Sequence, residues 1–570
     1  MSFLLRYLLY RGKYVCLFSV SIFSTFCFAQ PEPPLSTIVD QYNVNSRLTT
    51  PEIESTLIGA LNYLKHRQVT QKKYKIKKQD FIIPKLGKNY WLSGLRSSIS
   101  NSQIVKEKHI LGGWPSFVCF QPSVSTAFFQ PFLTATDYNL FSTASSAYCL
   151  NYFDDQLLLN DKRFVEKMKT GALHAIETFK RGESYSFWPK QDESGISVNP
   201  PNIPIRLMDF RIKIFKTTGL WGVNIYKDAN LLNEWILMIY NKSLNKTGGQ
   251  ALFNIPNDSD DTSMALIIKY LLGGHREDLS SDQNNVALKS LIAFRDSGRK
   301  KFDNHNSLSS TGAFLTWHKN ENIFVFDESE KGIIPLEVNN IDIVVNTNVL
   351  LALSLYGLTE ASGYNRTMEM VTKLIENKTW QENILYYPEK LWFPYSLSRF
   401  VRNGNIENSE LLAQLPKLLN DILTDQIHFE EKHQHLKGVF PAFDSKNYLL
   451  STVLGLNTLL NLGRERAEKI GKEKKYDSLV HHSIKYILRN KIKDKQISRK
   501  SNLATYFWKS GPLYSSSIQN LAHWYSNSQM TSMVTEALAK YVMEFDKDSA
   551  KSSKLYIAEN QGKLNLLEKP

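Results

Sequence analysis

Several catalytic signatures are missing from these 570 residues. There is no Gly-rich phosphate loop, which removes the P-loop and dinucleotide-binding readings. There is no HExxH and no CxxC pair, which removes the common zinc-protease and zinc-ribbon arrangements. Cysteine is scarce: Cys16, Cys27, Cys119 and Cys149 are the only four. Strand signals are few. The best lie at 69–82 and 322–327, and neither reads as part of a large sheet.

What is present begins with a targeting segment at residues 1–29. Arg6, Arg11 and Lys13 form a positive start, residues 14–29 carry no charge, and Cys27-Phe28-Ala29 precedes Gln30 as a small-residue cleavage site. The apolar part is short for a spanning helix. The expectation is export to the periplasm or the outside with cleavage after Ala29; an uncleaved anchor is the alternative. No lipobox surrounds Cys16 or Cys27. Export permits a disulfide between Cys119 and Cys149, although two cysteines in so long a chain read more readily as buried thiols. Losing the three cations of the signal lowers the formal net charge from +14 to +11. That suits an anionic surface, lipid headgroup or cell-wall polymer, and makes no case for nucleic acid. The densest basic run, 65–78, reads first as a solvated face.

The most informative stretch is Asn257-Asp258-Ser259-Asp260-Asp261-Thr262-Ser263-Met264-Ala265-Leu266. An apolar run over 264–272 follows it, so the acids sit at the start of a buried helix. One Asp suffices to cap a helix. Three carboxylates this close cannot all ionise cheaply, so one should hold its proton and could act as an acid.

The same phrase, a polar Asp, Asn or Ser loop followed by an apolar helix, recurs along the chain. Its helices fall at 143–152, 264–272, 349–356, 448–462 and 530–542. More charged, amphipathic helices are expected between them, at 163–180, 230–244, 283–295, 366–376 and 476–489. Alternating buried and half-exposed helices predict an all-α fold, an (α/α)n toroid of helical hairpins around a central cavity with little strand. The toroid is expected over 112–545. An extension over 30–111 precedes it, with one or two helices and the basic segment, and a polar tail follows at 546–570. In such a ring the loops before the inner helices gather at one mouth. They would bring together Asp137, the Asp258 cluster, Asp342, Asn346 and Asn348. Other loops add Trp188, Asp209, Tyr386, Tyr387, Trp392 and Trp508 as an aromatic lining for a bulky ligand.

Asp258-Ser259-Asp260-Asp261-Thr262-Ser263 resembles the DxDDTA box of class II terpene cyclases, a group that includes squalene–hopene cyclases and copalyl diphosphate synthases. Those proteins share the α/α-toroid superfamily with protein prenyltransferases. The match covers about ten residues. The resemblance implies alkene protonation by the middle acid, here Asp260, with Asp258 and Asp261 holding it. The repeated Gln-and-Trp motifs of triterpene cyclases are absent, and Asp154-Asp155-Gln156-Leu157-Leu158 lacks the last acid of a class I DDxxD box. No cofactor or protein-bound metal is predicted, and a part for Mg2+ stays open. Two other readings stand beside this one. A secreted glycan-active or glycan-binding toroid would use Asp260 and Asp342 as its carboxylate pair. A scaffold would keep the ring without the chemistry.

Overall fold

In the computed structural model the described residues are 50–70, 76–77, 105–106, 110–120, 134–153, 162–188, 256–273, 282–297, 308, 311–318, 339–404, 406–443, 447–515 and 522–545. Asp209, Asp154 and Asp155, and the expectations for 1–29, 230–244, 322–327 and 546–570, lie outside them.

The described chain is mainly helical. Six helices form an inner ring: α2 (Leu140–Tyr148), α4 (Ser259–Leu272), α6 (Ile343–Leu355), α8 (Trp392–Asn403), α10 (Tyr448–Leu462) and α14 (Asn527–Phe545). Each packs against the next in that order, and α14 closes the ring on α2. A second layer surrounds them: α1 (Thr50–Arg67), α3 (Lys162–Glu177), α5 (Asp282–Ala293), α7 (Tyr364–Glu376), α9 (Ser409–Lys432) and α12 (Glu473–Arg489). Three short helices, α11 (Arg464–Lys469) and α13 (Lys495–Ser501) among α-helices and a 3-10 turn at Trp380–Asn383, serve as connectors. The fold is an all-α toroid. Helix α1, from the segment before Gly112, packs directly on α14, so the ring takes it in as well.

Patterning explains the two layers. On α6 every side chain from Ile343 to Ser354 is buried, and on α10 every one from Leu450 to Leu462. Such helices are covered on all sides. On α7 the buried set is Tyr364, Thr367, Met368, Met370, Val371, Thr372, Leu374 and Ile375, while Asn365, Arg366, Lys373 and Glu376 are exposed, so one face of the helix meets water. Each fully buried Leu or Ile contributes about 1.5–3 kcal/mol over its exposed state.

The sixth inner helix, α8, corrects the sequence reading, which placed Trp392 in a loop and counted five inner helices. Its N-cap is Leu391, with no side-chain hydrogen bond, and Pro394 sits in its first turn. The other inner helices with described caps start from Asn139, Asp258, Asp342 and Asn447, each accepting from the first-turn backbone. Proline is harmless in the first turn, where its missing N–H would have no partner. The polar signal that marks the other inner helices is simply not there.

A four-stranded antiparallel sheet, absent from the sequence reading, lies at the N-terminal ends of the inner helices. Its order is β2 (Thr134–Asp137), β1 (Ser116–Phe120), β4 (Ala522–Tyr525), β3 (Tyr514–Ser515). Strand β2 runs into α2 and β4 into α14, and Phe117 faces Tyr525 in register. Among the described residues of the 69–82 candidate, Ile76–Lys77 form a strand. Gly112 secures the entry to this layer. It has φ 85°, and a Cβ there would meet the Gly171 carbonyl, so only glycine fits. Cys149 is a free, buried thiol, so the possible disulfide with Cys119 does not form. Among the described residues no helix is long and apolar enough to cross a membrane.

Candidate active site

The first turn of α4 divides its three carboxylates between different tasks. Asp258 is the N-cap, with extended backbone, and its Oδ1 accepts from the Asp261 N–H at 2.6 Å. Its other oxygen finds no donor, and neither does Oδ1 of Asp261. Both residues are buried, and their carboxyls hydrogen-bond each other. Two acceptors can meet only through a proton. Burial first, then the Asp258 charge, holds Asp261 well above the usual carboxylate range, so the pair favours keeping one proton between its two carboxyls. Around them, Ser259 donates from N to the Thr316 carbonyl and from Oγ to that of Leu315, which clamps the start of α4 to the 314–317 segment.

Asp260 does no capping. It alone of the three keeps partial exposure. Its Oδ1 accepts from Asn348 Nδ2 at 2.8 Å, and its Oδ2 from the Tyr387 hydroxyl. Burial pushes its pKa up to about 6; the bonds from Tyr387 and Asn348 oppose the rise, the Asp342 charge adds to it, and Arg399 opposes it. Asn348 sits in the second turn of α6, and its Oδ1 accepts from an Arg399 N–H at 2.8 Å. Arg399 is buried on α8, its guanidinium 4.9 Å from the Tyr148 ring centre and 4.7 Å from that of Tyr395.

Asp342 has a different role. It caps α6 with Oδ1, accepting from Val344 N at 2.7 Å and Val345 N at 3.1 Å. Its Oδ2 accepts from Leu385 N at 2.6 Å and Tyr386 N at 3.3 Å. Four main-chain donors thus occupy the carboxylate, and they hold the 385–387 loop where Tyr387 reaches Asp260. Asn346 is likewise structural: its amide exchanges hydrogen bonds with the Phe314 N–H and carbonyl and with the Asp342 carbonyl. Asp137 accepts from Trp188, Trp524 and Asn139 and is fully buried.

Aromatic rings continue from Asp260. Tyr387 lies 5.2 Å from Trp392 and 5.8 Å from Phe141, centre to centre. Phe141 meets Tyr514 at 5.1 Å, Tyr514 meets Phe187 at 5.9 Å, and Phe187 meets Trp188 at 5.0 Å. The Trp392 indole N–H is buried without a partner. Trp508 does not join this group. Its Nε1 donates to the Ile487 carbonyl at 2.8 Å and its backbone N–H to Thr531, so it fastens outer helix α12 to α14. Of the expected set, the ring therefore brings together Asp258, Asp260, Asp261, Asn348, Tyr387 and Trp392, with Trp188 at the far end of the aromatic run.

No protein-family model matches the chain, and no curated protein is similar enough in sequence to align with it. Solved structures of the type II terpene cyclase MstE from Scytonema do superpose. The apo enzyme does so at 12% identity and TM-score 0.43, over 86% of this chain and 99% of the other. A variant in complex with its substrate, geranylgeranyl dihydroxybenzoate, gives 12% and 0.42 over 86% and 99%. One in complex with its product, merosterolic acid A, gives 12% and 0.42 over 87% and 99%. So loose a superposition carries no inference; the ring rests on its own helix packing.

Sequence reasoning missed Arg399, Tyr148, Tyr395, Phe141 and Tyr514. Arg399 had one readable signal, as one of only two cations in Trp392–Asn403 and the one amid its apolar residues, but only once that segment is known to be an inner helix. Chemically, the arrangement offers a carboxyl group able to hold a proton near neutral pH beside aromatic faces. Among the described residues no His, Cys, Asp and Glu group is placed to hold a metal.

Proposed function

We propose that this protein is a class II terpenoid-cyclase-like enzyme in which Asp260 protonates a carbon–carbon double bond of a hydrophobic, isoprenoid ligand. The observation that carries this reading is that the middle acid of the DSDDTS box is not the cap. Asp258 caps α4, while Asp260 turns to Tyr387 and Asn348. In the step, the alkene π pair takes the Asp260 proton, a C–H bond forms, and the neighbouring carbon becomes a cation. The new carboxylate keeps the hydrogen bonds of Tyr387 and Asn348. Aromatic faces such as Trp392 and Phe141 favour a cation without offering a nucleophile. The carbohydrate reading needs Asp342 as a second free carboxylate, and four main-chain N–H groups already occupy it.

The test is incubation of the purified protein with linear polyprenyl phenols, polyprenyl diphosphates and squalene-type hydrocarbons in detergent. Product isomers of unchanged mass, followed by mass spectrometry and lost in Asp260→Asn, support the reading. No conversion across the panel, with an unchanged melting temperature for Asp260→Asn, leaves a ring without this chemistry.

Export through residues 1–29 and contact with an anionic membrane or cell-wall surface belong to the same proposal. Support for the surface comes from Arg489, Lys493, Lys495, Arg499 and Lys500, all exposed at the N-terminal end of the inner ring. The nearby acids Glu52 and Asp494 are paired with Lys491 and Arg67. Mass spectrometry of exported protein should find Gln30 at the N-terminus; full-length chain retained in the cytoplasm would overturn export.

A further inference from the structure

We propose that Arg399, acting through Asn348, is a positioning residue that stabilises the ionised form of Asp260 and so sets its strength as an acid. The inference rests on the proton-donor reading above for its purpose, not for its geometry.

Arg399 is a cation buried in the ring, 2% exposed. Among the described residues no carboxylate lies within ion-pair distance of it. Its hydrogen bonds go to the Asn348 carbonyl at 2.8 Å and, at longer range, to Ser396 Oγ at 3.5 Å and Met264 sulfur at 4.0 Å. Its Nε has no partner. Two tyrosine rings line its faces, which softens the desolvation of the charge without neutralising it. The other buried cation nearby, Lys540, has its own counter-ion: Glu536 at 2.5 Å, which also accepts from Tyr395 at 2.6 Å. Among the described residues Arg399 is therefore a buried cation of the ring with no carboxylate paired to it.

Asn348 points that charge at Asp260. Its carbonyl accepts from the guanidinium and its amide N–H donates to the Asp260 carboxylate. The reverse orientation would set an NH2 against a cation and a carbonyl oxygen against a carboxylate, so the amide has one workable pose. A carbonyl held by a cation polarises the amide and strengthens its N–H as a donor. The other charged or titratable groups facing Asp260 are Asp258 and Asp261 on α4, Asp342 on α6, and Tyr387. The three acids favour the protonated form, and Asp258 and Asp261 reduce their effect by sharing a proton. Among the described residues Arg399 is the cation on the other side of the balance. When Asp260 is protonated, the carboxylate charge acting on Arg399 is that of Glu536, which is already paired with Lys540. Proton release adds one on the far side of Asn348, and this draws the proton toward the substrate.

The test is a 13C NMR titration of the Asp260 carboxyl in the full chain, assigned by its loss in Asp260→Asn. Arg399→Met and Asn348→Leu should each raise its midpoint by about one pH unit or more, the lower end of the effect of a nearby opposite charge. Arg399→Lys should recover part of that rise. Circular dichroism confirms that each variant is folded; if Arg399→Met is not, Asn348→Leu alone decides. A folded variant with an unmoved midpoint overturns the inference. So does a rise in Arg399→Met but not in Asn348→Leu, which would make the effect direct rather than relayed. The two readings separate cleanly. An unmoved midpoint with cyclisation intact removes the relay and keeps the enzyme, whereas shifted midpoints without any cyclisation keep the relay and remove the enzyme.

Discussion

Helices α4 and α6 stand side by side in the inner ring, and each starts from an aspartate N-cap, Asp258 in one and Asp342 in the other. At α6 the single carboxylate is used up: both oxygens bond main-chain N–H groups on two segments. At α4 one carboxylate caps, a second shares its proton, and the third faces side chains from α6 and the loop before α8. A helix start needs one acid. The surplus at α4 is where an ionisable group is left over for chemistry, and the comparison with α6 shows how little of that surplus capping can explain.

The largest effect should come from breaking the surplus. Asp260→Asn keeps shape and should lower turnover by about a hundred- to ten-thousand-fold, the usual worth of a general acid, with stability nearly unchanged. Product formation and a thermal melt check both halves. Breaking the cap at α6 should do the reverse. Asp342→Ala leaves four buried N–H groups short of an acceptor and should cost about 3 kcal/mol or more in a denaturant titration, since each such loss costs about 1–3 kcal/mol and the effects overlap.

At α4 the cap and the surplus can be told apart by stability alone. Asp258→Ala should cost about 0.5–2 kcal/mol as a lost cap, whereas Asp260→Ala loses no cap, and relief of the crowded carboxylates should offset the lost acceptor of Asn348 and Tyr387. The pH dependence sharpens this. Asp260 and Asp261 both hold protons more tightly folded than unfolded. Their contribution to stability is therefore full below about pH 4, the unfolded value, and is lost as pH rises through their raised folded values, about 6 for Asp260. The wild type should melt lower at pH 8 than at pH 5, and Asp261→Asn should flatten that slope. The smallest effect on turnover is expected from Trp508→Phe. It should leave any activity unchanged and cost about 0.5–1.5 kcal/mol for the hydrogen bond to the Ile487 carbonyl.

Some of this was legible in residues close together in the chain. Apolar runs such as 343–355 and 448–462 can only be covered on all sides, while the α7 pattern leaves one face for water, so the two layers of an all-α ring follow from local periodicity. The acid cluster at the head of α4 is equally local, because capping and crowding act over three or four residues. The tertiary structure alone decided the rest. Which aspartate caps depends on one backbone angle and on Tyr387, 127 positions away. Helix α8 escaped notice because packing, with no polar cap, holds its start. The sheet joins strands about four hundred residues apart in register. Arg399 and Asn348 meet only because α8 and α6 are neighbours in a closed ring. Periodicity and capping are short-range and leave marks in sequence; counter-ions and strand partners are chosen by ring closure, which brings together residues with no local sign of one another.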